Sequence, residues 1–261
     1  MSVNRYPWGD HSGNLRDMLR IAALLLSVIS LTACGGSATP EGGSADPATE
    51  GGEVVPPEPP PEPVVMRTTT PVPVPQPAIA RERLSEPLQL LWDRAERAVE
   101  VRPPEPPPEG TRQSIEAWAA GPFVEWMRAR RAAIAEAEDD VGFLPDAQPY
   151  ERAVAAALFG YMYEDTAAGI RGAPVPEDIA SDPELLTLYV QTLDEALLPY
   201  AQSGAEAYAA CATTLAALGD QAWAEWGAYC VDRGREVIEV FELVTEPPDD
   251  ADDAPQPQPE S

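Results

Sequence analysis

The chain has 261 residues and carries 44 acidic side chains against 17 basic ones, for a formal net charge of −27. Every basic residue is an arginine, because the sequence contains no lysine. A surface this acidic repels phosphate backbones and anionic head groups, which argues against nucleic-acid binding. The one histidine, His11, lies near the start, so the rest of the chain lacks two of the common catalytic bases.

An apolar run near the amino terminus is the first element. The stretch from Ile21 to Leu31 has about the length of a signal-peptide core and is too short to span a bilayer, which takes ~20 apolar residues. Arg16 and Arg20 supply the positive flank of such a segment. We expect residues 1–33 to be a signal peptide that is removed.

The apolar run ends in Leu31-Thr32-Ala33-Cys34, which resembles the lipobox of bacterial lipoproteins. The resemblance implies a diacylglyceryl group on the sulfur of Cys34, cleavage before it and acylation of the new amino terminus. Two or more acyl chains hold a protein firmly on a membrane. Gly35 stands where an aspartate tends to retain lipoproteins in the inner membrane, so the resemblance implies the outer membrane. The alternative is an ordinary secretory signal followed by a free thiol.

A segment rich in proline, glycine and glutamate follows, and we assign residues 34–84 to the lipidated cysteine and a disordered tether. Runs such as Pro71-Val72-Pro73-Val74-Pro75 are typical of extended polyproline II chain. The segment has almost no apolar periodicity and cannot bury a core. We interpret it as a spacer that carries the head away from the membrane; a proline-rich ligand for another domain is the alternative.

Residues 85–245 are predicted to form an all-α domain, a bundle of helical hairpins with about five to seven helices. Apolar residues recur at helical spacing throughout, and no segment of comparable strength alternates with period two. Helix starts are indicated at Ser85, Thr111 and Pro149. A domain of about 160 residues can support one core.

Prolines and glycines mark boundaries within this domain. Gly121-Pro122 indicates a break or restart, and Ser181-Asp182-Pro183-Glu184 has the spacing of a capping box. Pro199 lacks a backbone donor, so we expect it to kink the helix that starts at this box or to divide that helix in two. A turn at Gly219-Asp220 separates the last two helices.

Cys211 and Cys230 lie on the apolar faces of the two helices that meet at Gly219-Asp220, at similar distances from the turn. An exported chain meets an oxidising compartment, and with Cys34 lipidated these are the two thiols that remain. We therefore predict a disulfide between them. A metal site and a reactive thiol are the alternatives, but both would lack a histidine. We assign no metal and no cofactor.

The same hairpin carries aromatic, small and turn residues at a spacing known from a repeat family, namely Tyr208, Ala212, Leu215, Gly219-Asp220 and Ala224. This pattern is similar to one unit of the tetratricopeptide repeat, over residues 205–238. The match covers a single unit, whereas repeat arrays normally need at least three. The resemblance implies paired antiparallel helices and a protein-binding groove.

If the protein were an enzyme, its catalytic groups would have to be mainly carboxylates. The sequence contains no recognisable catalytic motif, so we assign no catalytic residue and expect a protein that is not an enzyme. A cell-wall hydrolase or lyase with paired carboxylates is the alternative, although each candidate acid also fits a solvated helix face. The candidates are Glu125, Glu136, Asp139, Asp140, Glu164 and Asp165.

Two further clusters leave alternatives open. Arg128, Arg130 and Arg131 form the densest basic spot and either grip an acidic partner or form a solvated helix face. Seven of the eight tyrosines fall between Tyr150 and Tyr229. They either line a ligand groove or, as we favour, lie at the edges of the apolar helix faces and pack on the core.

The carboxyl-terminal residues 246–261 combine an acidic run with alternating proline and glutamine, which predicts a disordered tail.

Taken together, these features predict a lipid-anchored outer-membrane protein whose head is periplasmic or surface-exposed. We expect that head to bind another envelope protein without catalysis. A carboxylate hydrolase or lyase and a small-ligand-binding lipoprotein are the alternatives, and we expect no nucleic-acid partner.

Overall fold

The computed structural model describes residues 66–141 and 147–243. Within them the chain is all-α without a strand, which confirms the predicted fold class. The predicted signal peptide, Cys34, most of the tether and the tail lie outside the described residues. The described helices are α1 (Glu86–Glu100), α2 (Arg112–Trp118), α3 (Val124–Val141), α4 (Pro149–Arg171), α5 (Glu177–Ala180), α6 (Pro183–Leu218) and α7 (Ala224–Val240).

Helix α4 is the centre of the bundle. It packs against α6, which in turn packs against α7, while α1 contacts both α3 and α4. Residues on nearly every side of α4 are buried, as expected for a helix surrounded by others. Gly160 permits the close approach of α6, because a Cβ there would stand 2.7 Å from the ring of Tyr208. In the described ranges no helix combines the length and apolar character needed to cross a bilayer.

The predicted helix starts at Ser85, Thr111 and Pro149 are confirmed. Ser85 is the N-cap of α1, and its backbone N–H donates to Glu151 Oε1 of α4 at 2.7 Å. Thr111 is the N-cap of α2, and its hydroxyl accepts from the backbone N–H of Ser114. Pro149 is the first residue of α4, where the missing proline donor costs nothing.

The start of α6 differs from the predicted capping box by one residue. Asp182, rather than Ser181, is the N-cap, and its carboxylate accepts from the backbone N–H groups of Glu184 and Leu185. The hydroxyl of Ser181 instead donates to the carbonyl of Glu177 in α5. The correction has a simple cause, because the short helix α5 uses Ser181 to close its own last turn.

The two prolines inside helical segments have different effects on the chain. Pro199 lies inside the continuous helix α6, so the predicted division there is wrong. Packing of α6 against α4 and α7 outweighs the lost backbone bond, as tertiary contacts often override local propensity. Gly121 and Pro122 lie in a π-helical turn, Ala119–Phe123, that connects α2 directly to α3.

Candidate functional site

The hairpin formed by α6 and α7 is closed by the predicted disulfide. Cys211 and Cys230 are both buried, and their Cα atoms are 6.1 Å apart. Gly219 ends α6 in the left-handed region at φ 64°, which glycine adopts without steric cost. The side chain of Asp220 then accepts from the backbone N–H of Ala222 to start the next turn. The bridge therefore fixes the orientation of α7 against α6.

An extended segment, residues 68–77, lies across α7, and we call it the strap. It forms neither helix nor strand. Its backbone carbonyls accept hydrogen bonds from three α7 side chains at positions i, i+3 and i+7, which share one helix face. The three bonds are Trp226 Nε1 to Gln76 O at 2.9 Å, Tyr229 Oη to Val72 O at 2.8 Å and Arg233 Nη2 to Thr70 O at 3.3 Å.

The strap changes our assignment of residues 34–84 to a disordered tether. Thr69 is 3% exposed, and Met66, Val74 and Ile79 pack against the hydrophobic core. The head therefore includes packed residues between 66 and 84, a stretch predicted to belong to the tether. The cause is that α7 supplies donors for the carbonyls of a proline-rich segment that has no apolar periodicity of its own.

Arg233, which holds the strap, also forms a buried ion pair with Glu164 of α4. The side chain of Glu164 is 0% exposed and that of Arg233 is 7% exposed. Arg233 Nε donates to Glu164 Oε2 at 3.2 Å, and Tyr208 Oη donates to the same oxygen at 2.8 Å. Glu236 pairs with Arg233 from its more exposed side. One guanidinium group thus joins α4, α7 and the strap.

The protonation states suit this hydrogen-bond pattern. Burial raises the pKa of Tyr208 well above its ordinary value, and Tyr229 and Glu164 raise it further. Burial also raises the pKa of Tyr229. Burial lowers the pKa of Arg233, but the hydrogen bond to Glu164 and the negative charges of Glu164 and Glu236 together outweigh burial, so the net pKa is raised. Both tyrosines therefore stay protonated donors at neutral pH, and Arg233 stays charged.

A second buried ion pair involves the next residue of α4, Asp165, and Arg130 of α3. Their side chains are 6% and 0% exposed, and Arg130 Nη2 lies 2.8 Å from Asp165 Oδ2. Arg102 Nη1 donates to Asp165 Oδ1 at 3.3 Å. Arg130 Nη2 and Trp126 Nε1 both donate to the carbonyl of Val101 at 2.9 Å. Burial raises the pKa of Asp165, whereas Arg130 and Arg102 lower it, and the net pKa is raised.

The described candidate carboxylates occupy two kinds of environment. The buried ones are each paired with an arginine, and the others lie at the surface. Glu164 and Asp165 are the buried acids, Glu136 pairs with Arg94 at 3.2 Å, Glu125 and Asp139 are exposed, and the side chain of Asp140 lies outside the described ones.

The arginine cluster of α3 is split in the same way. Arg128 is exposed, as a solvated helix face requires, but Arg130 points into the protein.

Many of the clustered tyrosines pack in the core, as we favoured. Four of them are buried, namely Tyr161, Tyr163, Tyr189 and Tyr208.

The strap contacts of Trp226, Tyr229 and Arg233 were not predicted from the sequence. The signal was present, because Trp226, Cys230, Arg233 and Val237 recur at helical spacing and are all buried. A charged residue on an apolar stripe needs a buried partner. The position of Arg233 on the apolar stripe does not identify that buried partner.

Within residues 66–141 and 147–243, no group of three or more histidine, cysteine or acidic side chains converges to hold a metal ion. No protein-family model, curated protein or solved structure matches this chain.

Replacing Tyr229 with phenylalanine removes the hydrogen bond to the Val72 carbonyl and the 3.5 Å contact with Tyr208 Oη, and keeps the ring. One such bond contributes about 1 kcal/mol, so we expect amide hydrogen exchange in the strap to become about fivefold faster. Exchange read by mass spectrometry on the peptide covering residues 66–80 measures this change. Tyr150→Phe is the control, because Tyr150 stacks on Trp223 and is not one of the strap donors. Unchanged strap exchange in Tyr229→Phe would show that this bond does not hold the segment.

Proposed function

We propose that this chain is a lipid-anchored envelope protein whose helical head binds another envelope protein and performs no catalysis. The observation that carries the proposal is the exposure of large apolar side chains on two neighbouring helices of the head, Leu188 and Leu198 on α6 and Val231 on α7. Exposed apolar side chains of this kind are candidate positions for contact with another protein. The α7 face formed by Trp226, Tyr229 and Arg233 is already occupied by the strap, so a partner would bind elsewhere on the head.

The proposed anchor follows from the likeness of Leu31-Thr32-Ala33-Cys34 to a lipobox, and the proposed outer-membrane location follows from Gly35. The strap lies between the proposed anchor and the helices in the sequence, and Arg233 of α7 joins it to Glu164 of α4 at the centre of the bundle. A head held to its amino-terminal segment in this way suits a module that acts at a distance from its membrane.

The charged groups favour binding over the carboxylate-enzyme alternative. A carboxylate pair that hydrolyses or cleaves glycosidic bonds needs one acid free to give up a proton and a second facing the substrate. Glu164 and Asp165 are instead each neutralised by an arginine.

A pocket between α1 and α3 bears on the small-ligand alternative. It measures about 120 Å³, well below the roughly 300–1,000 Å³ typical of sites for drug-sized ligands.

Large apolar side chains exposed on the head offer positions at which to test for a partner. Leu188 and Leu198 on α6 are 48% and 40% exposed, and Val231 on α7 is 56% exposed. A bound protein would remove these side chains from water, which is favourable.

A photo-crosslinking amino acid placed at Leu188, Leu198 or Val231 in the native cell tests the proposal. We expect the same envelope protein to be crosslinked reproducibly from at least one of these positions, and the reverse experiment on that protein to return this chain. The exposed acidic position Glu125 on α3, a helix that packs against α1 and α4, serves as the control and should give a weaker product or none. A protein present at its normal level that crosslinks to no envelope protein from any position would contradict the proposal.

A further inference from the structure

The connection between α1 and α2 contains the heptapeptide Pro-Pro-Glu-Pro-Pro-Pro-Glu at positions 103–109. The same residues occur in the same order at positions 56–62, in the predicted tether and outside the described residues. A spacer and a helix connection each need a suitable length and stiffness. Neither role requires an identical sequence, so the repeat favours a recognition function that the two segments share.

The structure holds the copy at 103–109 at both ends. Before it, Arg102 Nη1 donates to Asp165 Oδ1 of α4 at 3.3 Å. After it, the carbonyl of Gly110 accepts from the backbone N–H of Glu177 at the start of α5. The residues between these contacts form neither helix nor strand. The heptapeptide is therefore presented at a fixed place on the head.

The exposure of this segment repeats at every third residue. Pro104, Pro107 and Gly110 are half-buried, and the residues between them are exposed. A polyproline II helix has three residues per turn, so this pattern places one edge of the segment against the head and two edges in solvent. Each exposed edge carries one proline and one glutamate, namely Glu105 with Pro108 and Pro106 with Glu109.

This combination of prolines and glutamates specifies the kind of protein that fits it. Proline-rich chain in the polyproline II form loses little conformational entropy on binding, and aromatic-lined grooves recognise it for that reason. The heptapeptide contains two glutamates and no basic residue, and the whole chain carries −27. A groove with arginine or lysine at its rim complements that charge, whereas a second copy of this chain repels it.

We propose that the heptapeptide at 103–109 is a binding segment for a protein that has an aromatic-lined groove with a basic rim, and that the copy at 56–62 binds a groove of the same kind. Aromatic rings of the groove pack on Pro106 and Pro108, and basic side chains of its rim pair with Glu105 and Glu109. Two copies in one chain raise the avidity for a partner that has two such grooves. This inference does not depend on the α6 and α7 positions named above.

Photo-crosslinking of the full-length protein in the native cell is the first part of the test. The photoreactive amino acid replaces Pro106 in one variant and Pro59, the equivalent position of the other copy, in a second. We expect both variants to crosslink the same protein. Pro73 is the control, because it is an exposed proline of the strap, whose proline-rich sequence contains no glutamate. It should give a weaker product with that protein or none.

Binding of the purified crosslinked protein to full-length variants, measured by isothermal titration calorimetry, is the second part. Changing the four glutamates of the two heptapeptides to glutamine removes the proposed ion pairs and keeps the prolines. We expect this to weaken binding about three- to tenfold, since each segment loses two exposed ion pairs. The matched control makes four identical changes at exposed glutamates outside the heptapeptides and should weaken binding less than about twofold. Its positions are Glu82, Glu86, Glu100 and Glu125.

Three results would overturn the proposal. The first is that the Pro106 and Pro59 variants crosslink no protein in common. The second is a product that joins two copies of this chain instead of a different protein. The third is equal weakening by the two sets of glutamine changes, because the binding would then reflect overall charge. Crosslinks from the α6 and α7 positions are unaffected by any of these outcomes, so this proposal and the proposed function can fail separately.

Discussion

Replacing Glu164 with glutamine is expected to lower the free energy of unfolding by about 3 kcal/mol, near the lower end of the range for breaking a buried ion pair. Glutamine keeps the size of the side chain and an acceptor for the Tyr208 hydroxyl. It leaves Arg233, which is 7% exposed, without its buried counter-charge. Glu236 still pairs with Arg233 from the more exposed side, which is why the loss does not reach the upper end of the range.

Urea unfolding of the variant and the wild type measures this difference. The matched control is Glu236→Gln, which makes the same chemical change in the other carboxylate that pairs with Arg233. Glu236 is 42% exposed, so its ion pair is screened by water and the expected loss is below about 1 kcal/mol. Similar losses in the two variants would mean that Glu164 is not the main counter-charge of Arg233.

Removing the disulfide by the double change Cys211→Ala and Cys230→Ala is expected to cost about 2–4 kcal/mol of stability. The bridge joins residues separated by 19 positions, so reducing it lets the unfolded chain explore many more arrangements. The same bridge fixes α7 against α6. We therefore also expect strap hydrogen exchange to speed up in the double variant.

Urea unfolding of the oxidised wild type and the double variant checks the disulfide prediction. Wild-type protein unfolded and refolded with excess thiol is the reference for the reduced state, and it should match the double variant. A double variant within about 0.5 kcal/mol of the oxidised wild type would contradict a stabilising bridge.

Much of the head could be predicted from the sequence because the relevant signals are local. Apolar spacing of three and four residues gives the helices, Ser85 and Thr111 mark two starts, and the turn at Gly219 brings Cys211 level with Cys230. The misplaced cap at Ser181 has a different origin. Ser181 and Asp182 can both cap a helix. Because the hydroxyl of Ser181 closes the last turn of α5, Asp182 caps α6.

The strap could not be predicted because nothing local specifies it. Its hydrogen bonds join residues 150 to 163 positions apart. A proline-rich segment shows the same sequence pattern whether it is solvated or docked on a protein, because its extended backbone makes no internal hydrogen bonds. Only the donors on α7 distinguish the two states.

The buried charges were predictable in part. Arg233 falls on the apolar stripe of α7, and Arg130 falls between the buried residues Met127 and Ile134 of α3. Such positions require a buried counter-charge. The partners, Glu164 and Asp165, follow each other on α4 but pair with different helices, α7 and α3, an arrangement that only the assembled helices define.

Mass spectrometry of the amino-terminal peptide, taken from protein isolated from native membranes, tests whether a lipid anchor holds this head. The anchored arrangement predicts a peptide that begins at Cys34 and carries a diacylglyceryl group on sulfur and an acyl chain on its amino group. A peptide that begins elsewhere, or a Cys34 with an unmodified thiol, would contradict it.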